Sequence, residues 1–245
     1  EGITRFTVGL GKKALLANTC GSLSDNLLVA DSLIASSPDV ALAELSSRSV
    51  AGIFFGVLFY MLQIYLDFSA YSDMAIGMGL MVGFHFKENF NYPYIANSVT
   101  DFWRRWHMSL GAWMREFVFY PVMLSKPVTA VSKKARKRFG AYAGKIVPSV
   151  SAPLVVFFLI GIWHGLTWQY IVNGLYNALL ISASVALAPF NKKLTEKLRI
   201  NTANPLFVLF QILRTFVVVA IGYVFDVAAD FADSIYTFQM ILTDQ

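Results

Sequence analysis

The sequence predicts an all-α, polytopic integral membrane protein, and three observations carry that prediction. The 245 residues are 56% hydrophobic, and their mean hydropathy is +0.56. Charged residues make up only 14% of the chain, against about 25% in an ordinary soluble domain. Several apolar runs approach or exceed the ~20 residues with which a helix crosses a bilayer. Because lipid-exposed backbone must form its own hydrogen bonds, these runs are expected to be helices.

The first third of the chain alternates apolar and polar stretches. Residues 2–31 are amphipathic and punctuated by glycine, which predicts an interfacial or partly embedded helix. Residues 32–48 are polar and predict a loop. Residues 49–66 form an apolar span. A break is expected around Asp67, followed by a Met- and Gly-rich helix over residues 70–86.

The middle of the chain is the most polar part. Residues 87–101 are rich in asparagine and turn formers, which predicts an irregular connection. Residues 99–124 mix charged and aromatic side chains and are too charged for a lipid-facing span. They predict a helix at the membrane interface, or one that lines a polar cavity.

Apolar segments return after this region. Residues 149–163 and 166–188 flank His164. They form either a hairpin with His164 near its turn, or a broken helix that enters a cavity. Residues 205–225 are the last clear span, and residues 227–242 are amphipathic.

Two basic stretches indicate the orientation of the chain in the membrane. Between residues 126 and 145 there are seven basic residues and no acidic one. Residues 192–199 carry four basic residues, with Glu196 as the only acid. Positively charged loops stay in the cytoplasm, so both stretches are expected there. Nucleic acid is the rival partner for a basic patch, but short loops between membrane spans do not favour it.

His164 is the first candidate functional residue, in the segment Gly161-Ile-Trp-His-Gly165. An ionisable side chain in a membrane segment is a functional candidate by default. A neutral imidazole can serve as a general base near pH 7. The alternative is a structural histidine that is hydrogen-bonded inside a helix bundle.

His107 is the second candidate, directly after Arg104, Arg105 and Trp106. Arginines beside a histidine can hold an anionic donor or an acid sugar. Aromatic and basic side chains also anchor helices at membrane surfaces. From these residues alone, the anchor is the preferred interpretation of His107.

Asp67 and Asp73 are carboxylates in an otherwise uncharged stretch. Such groups are expected to be paired or to line a cavity, and the basic residues of segment 104–115 are possible partners. A polar helix break at the membrane edge explains them equally well.

Metal chemistry and disulfide chemistry receive no support from the sequence. His85, His107 and His164 lack the close spacing of a zinc motif. Cys20 is the single cysteine, so a disulfide within the chain is excluded. No metal site is therefore expected.

Three segments carry a family resemblance: residues 65–79, 86–121 and 161–179. In order, spacing and content they resemble the membrane-bound O-acyltransferase family. The resemblance is strongest to its bacterial branch of the alginate O-acetyltransferase type, and the D-alanyl transfer protein of teichoic acid synthesis is a similar relative. The sequence departs from the alginate branch at Asn177, where a histidine is common there.

The resemblance implies a fold and a set of site residues. The fold is a ring of tilted helices around a thin central funnel. Residues 1–245 are expected to form one membrane domain, the C-terminal and motif-bearing part of a chain with helices before Glu1 and after Gln245. In the family the histidines at His164 and His107 belong to the catalytic site. The predicted substrate-binding residues are Arg104, Arg105, Trp106, Asp67, Asp73, Trp163 and Asn173.

The resemblance implies that the protein transfers an acyl group from a cytoplasmic thioester to hydroxyls of a cell-surface polysaccharide. Acetyl is the acyl group expected. The donor would be acetyl-CoA or an acyl carrier protein, with no tightly bound cofactor. Membrane lipid and a secreted or periplasmic acyltransferase are the further expected partners, and the bacterial cytoplasmic membrane is the expected location of this multi-pass protein.

Other activities remain open at this point. D-alanyl transfer to teichoic acid is one alternative to acetyl transfer. A proton-coupled transporter that uses His164, Asp67 and Asp73 as a relay is a second. A third is a scaffold without activity that recruits an acyl carrier through residues 126–145.

Overall fold

The computed structural model of the protein is built from helices and their connections. It describes residues 1–28, 40, 44, 47–228 and 230–243. No strand occurs among these residues, which agrees with the all-α prediction. The loop predicted over residues 32–48 lies largely outside the described residues.

The α-helices of the described part are numbered here in chain order. They are α1 (Gly2–Gly11), α2 (Asn18–Leu27), α3 (Val50–Met81), α4 (Val99–Arg105), α5 (Met108–Met114), α6 (Tyr120–Leu124), α7 (Lys126–Phe139), α8 (Ala141–His164), α9 (Trp168–Ala186), α10 (Ala188–Lys197), α11 (Pro205–Val227) and α12 (Phe231–Thr243). Wider π-helical turns join α1 to α2 and α5 to α6, over Lys12–Ala17 and Arg115–Phe119, and a 3₁₀ turn spans Pro93–Ile95.

Within the described residues, three helices are long and apolar enough to cross a membrane: α3, α8 and α11. Helices α9 and α10 together make a further segment of this kind, bent by 56° at the break between them. These spans make the chain an integral membrane protein.

The chain divides into two compact units. In the first, residues 1–90 and 223–245, helices α1 and α2 pack along α3, and α12 also contacts α3. In the second, residues 91–222, helices α7 and α9 both pack on α8. A single membrane domain over residues 1–245 stays a prediction.

The break predicted around Asp67 is wrong, because α3 runs without interruption from Val50 to Met81. The carboxylate of Asp67 lies 2.6 Å from Lys13 Nζ, in an ion pair with the preceding helical segment. Because Lys13 neutralises the Asp67 carboxylate, α3 can continue through this apolar segment without a break.

Asp73, one and a half turns further along α3, has two cationic partners. Lys12 Nζ lies 2.6 Å from one carboxylate oxygen, and Arg5 Nη2 lies 2.9 Å from the other. Arg5 also donates to Glu88 at 2.6 Å. The expected pairing of the aspartates with segment 104–115 is therefore replaced by pairing with α1 and the π-helical turn after it.

The basic stretch at residues 126–145 is mostly a helix, not the loop expected from the sequence. In the first turn of α7, the hydroxyl of Thr129 donates to the Ser125 carbonyl at 3.0 Å. The helix ends at Gly140, whose φ of +91° few other residues adopt. Three of the four basic residues between 192 and 199 likewise lie in α10.

Helix α8 begins at Ala141, well before the apolar run predicted over residues 149–163. Pro148 lies inside it and has no N–H for the carbonyl of Gly144, one turn earlier. The hydroxyl of Ser132 on α7 donates to that carbonyl at 2.7 Å. The helix can therefore pass through Pro148, because a neighbouring helix supplies the missing donor.

The ion pairs between α1 and α3 give the first prediction. Asp73→Ala leaves Arg5 and Lys12 without their shared partner, so we expect a loss of about 1–3 kcal/mol in the free energy of unfolding in detergent micelles. Glu196→Ala is the matched control, because its pair with Lys192 is exposed and 3.9 Å long, and such pairs contribute less than about 0.5 kcal/mol. Equal losses in the two variants would contradict this account.

Candidate functional site

His107 lies at a sharp kink between α4 and α5. Its backbone is left-handed, with φ +44° and ψ +56°, and its carbonyl accepts the N–H of Gly111 at 3.0 Å. Few non-glycine residues adopt this conformation, and such strain concentrates at functional sites. The hydroxyl of Ser109 lies 3.4 Å from the Nδ1 atom of His107 and helps to orient the ring.

Arg105 holds the kink in place. Its Nε atom donates to Asp101 at 2.9 Å, one turn back on α4, as the four-residue spacing implies. Its guanidinium also donates to the Asn91 carbonyl at 3.3 Å, and its own carbonyl accepts the Asn91 N–H at 2.9 Å. Arg105, predicted to bind substrate, thus ties α4 to the preceding loop.

A cavity of about 720 Å³ opens beside the kink. This volume is in the range of small-molecule sites, which combine apolar walls with a few polar groups. The polar side chains of its wall are Thr100, Arg104, His107, Arg115 and Tyr120. Its apolar wall includes Trp103, Trp106, Val156, Phe157 and Ile160.

Three predicted residues, Arg104, Trp106 and His107, thus share one cavity. Trp106 is buried and stacks on Phe102, with ring centroids 5.6 Å apart. Arg115 was not predicted as a site residue. Its spacing of 11 residues from Arg104, about three helical turns, is the sequence signal that could have indicated it.

His164 is the last residue of α8, at the turn of a helical hairpin with α9. The two helices approach closely at Gly161, where a Cβ atom would lie 2.6 Å from the Tyr170 carbonyl oxygen. A Cβ atom at Gly174 would likewise collide with the Phe157 carbonyl. The structure therefore agrees with the hairpin and not with a single broken helix.

Two aromatic rings flank the imidazole of His164. The Trp163 ring lies 4.9 Å away and edge-on, and the Tyr170 ring stacks at 6.0 Å with an interplanar angle of 27°. Trp163 itself is 61% exposed. His164 is partly exposed, and it is not among the described residues that line the cavity.

The two histidines interact electrostatically although they lie 57 residues apart in the sequence. Burial lowers the pKa of His107 from its ordinary value, and charge on His164 lowers it further. Both effects favour the neutral imidazole of His107 near pH 7. The structure thus brings together the two histidines that the sequence singled out.

A chain of side-chain hydrogen bonds supports the cavity wall from α9. The indole N–H of Trp103 donates to Asn177 Oδ1 at 3.1 Å, and the Asn177 amide donates to Asn173 Oδ1 at 3.0 Å. Asn173, predicted to bind substrate, takes part here in a structural chain. Asn177 orients Trp103, a role that its departure from the family pattern did not indicate.

Asp67 and Asp73 belong to the other compact unit, where both are ion-paired. A proton relay through them would first have to break those pairs. The described residues contain no group of three histidine, cysteine or acidic side chains arranged to hold a metal ion.

These features define a polytopic membrane protein with a histidine at the edge of an apolar cavity and a second histidine nearby. The chain belongs to the membrane-bound O-acyltransferase family, whose model matches residues 28–223.

Relatives of this chain share this family. A probable alginate O-acetylase of Pseudomonas aeruginosa is 33% identical over 224 residues, which cover 91% of this chain and 35% of that protein. A teichoic acid D-alanyltransferase of Bacillus subtilis is 35% identical over 136 residues, 55% of this chain and 31% of the relative. A peptidoglycan O-acetyltransferase of Helicobacter pylori is 29% identical over 192 residues, 78% of this chain and 31% of the relative. The chain spans about a third of the length of these curated relatives.

The lowered pKa of His107 predicts a specific dependence of stability on pH. Between the ordinary pKa of 6.5 and the lower value in the folded protein, the unfolded chain binds more protons, so stability falls as the pH drops through this window. His107→Asn removes the titrating group, and asparagine tolerates the left-handed backbone. Thermal unfolding of the variant should therefore change less with pH than that of the wild type, and parallel pH profiles would contradict the assignment.

The hydrogen bond from Trp103 predicts the effect of changing Asn177. Asn177→Leu leaves the half-buried indole N–H without its acceptor and should lower the free energy of unfolding by about 1 kcal/mol. Adding Trp103→Phe removes the donor as well, so the double variant should lose less than the sum of the two single variants. Strict additivity in this double-mutant cycle would show that the bond does not support the wall.

Proposed function

We propose that this chain carries the acyl-transfer site of a membrane O-acyltransferase that modifies hydroxyl groups of a cell-surface polysaccharide. The observation that carries the proposal is a cavity of about 720 Å³ whose wall includes His107 and Arg104, with His164 near enough to lower the pKa of His107. Membership of the family supports the reaction class. Since the chain spans only about a third of its relatives, the activity is proposed for the protein to which this site belongs.

The proposed reaction needs one proton acceptor and no covalent enzyme intermediate. A ring nitrogen of His164 accepts the proton of the acceptor hydroxyl as the oxygen attacks the thioester carbonyl carbon. The carbon–sulfur bond then breaks, and the proton passes to the leaving thiolate, which leaves as a free thiol. The products are an ester and a thiol, so His164 returns to its neutral state.

In our proposal, His107 and Arg104 stabilise the negative charge that develops during the reaction and bind the substrate. Both line the cavity, and Arg104 has no acidic ion-pair partner within 4.0 Å among the described residues. Donors held in position stabilise negative charge that develops on a carbonyl oxygen. Arg104 can also bind an anionic part of the donor or acceptor.

Acetyl is the acyl group that the relatives favour. The similarity to the probable alginate O-acetylase covers 91% of this chain, whereas that to the D-alanyltransferase covers 55%. The relative from Helicobacter pylori is likewise named as an O-acetyltransferase. D-alanyl transfer remains the second candidate, and mass analysis of the modified polymer separates an acetyl from a D-alanyl ester.

Chemistry and topology support the remaining parts of the proposal, which are the thioester donor, the orientation in the membrane and the partner protein. The thioester is acetyl-CoA or an acyl carrier protein, which reaches the site from the cytoplasm. The basic residues of α7 and α10 support a position of these helices on the cytoplasmic side of the bacterial cytoplasmic membrane. A secreted or periplasmic acyltransferase would complete delivery to the polymer.

Substitution of His164 tests the proposal directly. His164→Ala in the native protein should reduce polymer acylation by about a hundredfold to ten-thousandfold, the range typical for loss of a general base. Membrane insertion and protein level should be unchanged, because His164 lies at a helix end and is partly exposed.

A variant of another histidine serves as the control for this experiment. His85→Ala is the matched control, since His85 is exposed and lies in the other compact unit. It should retain normal acylation. Near-normal acylation by His164→Ala would refute the role as general base, and absence of thioester consumption by the purified wild type would favour a transporter.

A further inference from the structure

Helix α7 presents a strongly basic outer face. One side of α7 packs on α8. The residues on this side, Val128, Ser132 and Ala135, are half-buried, and Ser132 donates a hydrogen bond to α8. The opposite side carries five basic residues, all exposed: Lys126, Lys133, Lys134, Lys137 and Arg138. At 100° per residue these five project within about 140° of one another, so they form one continuous face.

This basic face has no acidic partner within the described residues. None of its five cations takes part in an ion pair there. Like charges at this spacing on a helix repel one another. The face therefore favours a partner that supplies several negative charges at once.

The position of α7 in the chain indicates where that partner lies. Gly140 turns the chain back, so that α7 lies against the first turns of the membrane span α8, with Ser132 bonded to Gly144. The basic face consequently lies next to the end of a membrane span. Lipid headgroups occupy this level of a bilayer.

Two exposed apolar side chains lie beside the basic residues of this helix. Val131, which borders the basic face next to Arg138, is 54% exposed. Phe139 is 71% exposed, and its ring lies 5.4 Å from the guanidinium of Arg138. A helix with exposed apolar side chains beside a row of lysines is typical of segments that lie in the membrane interface. A soluble acidic protein would account for the charges but not for this apolar border next to a membrane span.

We propose that the outer face of α7 binds the headgroups of anionic phospholipids in the leaflet at the end of α8. Several phosphates would neutralise the five cations, and Val131 and Phe139 would enter the acyl boundary. The site is independent of the acyl-transfer cavity, because the residues of that cavity and of this face do not overlap.

The test measures lipid binding by the purified protein in phosphatidylcholine nanodiscs with and without phosphatidylglycerol. Native mass spectrometry counts the phosphatidylglycerol molecules retained, and thermal stabilisation gives an apparent affinity. The variant replaces Lys133, Lys134, Lys137 and Arg138 with glutamine, which keeps helix propensity. We expect its apparent affinity for phosphatidylglycerol to fall about tenfold or more, since each basic residue near an anionic surface contributes about 1 kcal/mol, a factor of about five.

A charge-conserving variant separates electrostatics from misfolding. Lys133→Arg, Lys134→Arg and Lys137→Arg together with Arg138→Lys should keep wild-type affinity for phosphatidylglycerol. Unchanged affinity in the glutamine variant would overturn the proposal. So would a wild type that does not distinguish phosphatidylglycerol from phosphatidylcholine but binds soluble polyglutamate, because that result identifies an acidic protein as the partner.

Discussion

The free-energy cost of an unpaired charge or backbone polar group in an apolar surrounding is the constraint on which this structure depends. Helix α3 carries Asp67 and Asp73 through an apolar segment because Lys13 and Lys12 lie 2.6 Å from their carboxylates. The same constraint acts on the backbone at Pro148, where a neighbouring hydroxyl replaces the missing helical donor. In both places a second helix supplies the partner, so pairing and helix packing stabilise each other.

The candidate site lies at helix ends, where the cost of a polar group in an apolar surrounding is smaller. His107 lies at a kink between two short helices, and His164 lies at the turn of a hairpin. At such helix ends an imidazole can reach a cavity or a substrate without interrupting a helix. The wall of the cavity beside His107 is held by the indole of Trp103, which donates a hydrogen bond to Asn177. Rigid support of this kind allows a site to hold reacting groups in position.

The sequence predicted the helical class and the last span, because apolar runs have a direct physical meaning. Around His164 it left a hairpin and a broken helix as alternatives. It failed at Asp67 because a carboxylate in an apolar run breaks a helix only if nothing neutralises it, and its partner Lys13 lies far away in the chain. Arg115 was missed although it lies 11 residues after Arg104, a spacing of about three helical turns. The functional roles proposed for His107 and His164 rest on the family resemblance, whereas their electrostatic interaction is a property of the fold.

The central claim is that the fold brings His107 and His164 into electrostatic contact, and an NMR titration tests it most directly. The chain has only three histidines, so the imidazole C2 proton of His107 can be assigned by substitution. Because charge on His164 lowers the pKa of His107, His164→Gln should raise it. An unchanged titration of His107 in that variant would show that the two rings do not interact, and would contradict the shared site.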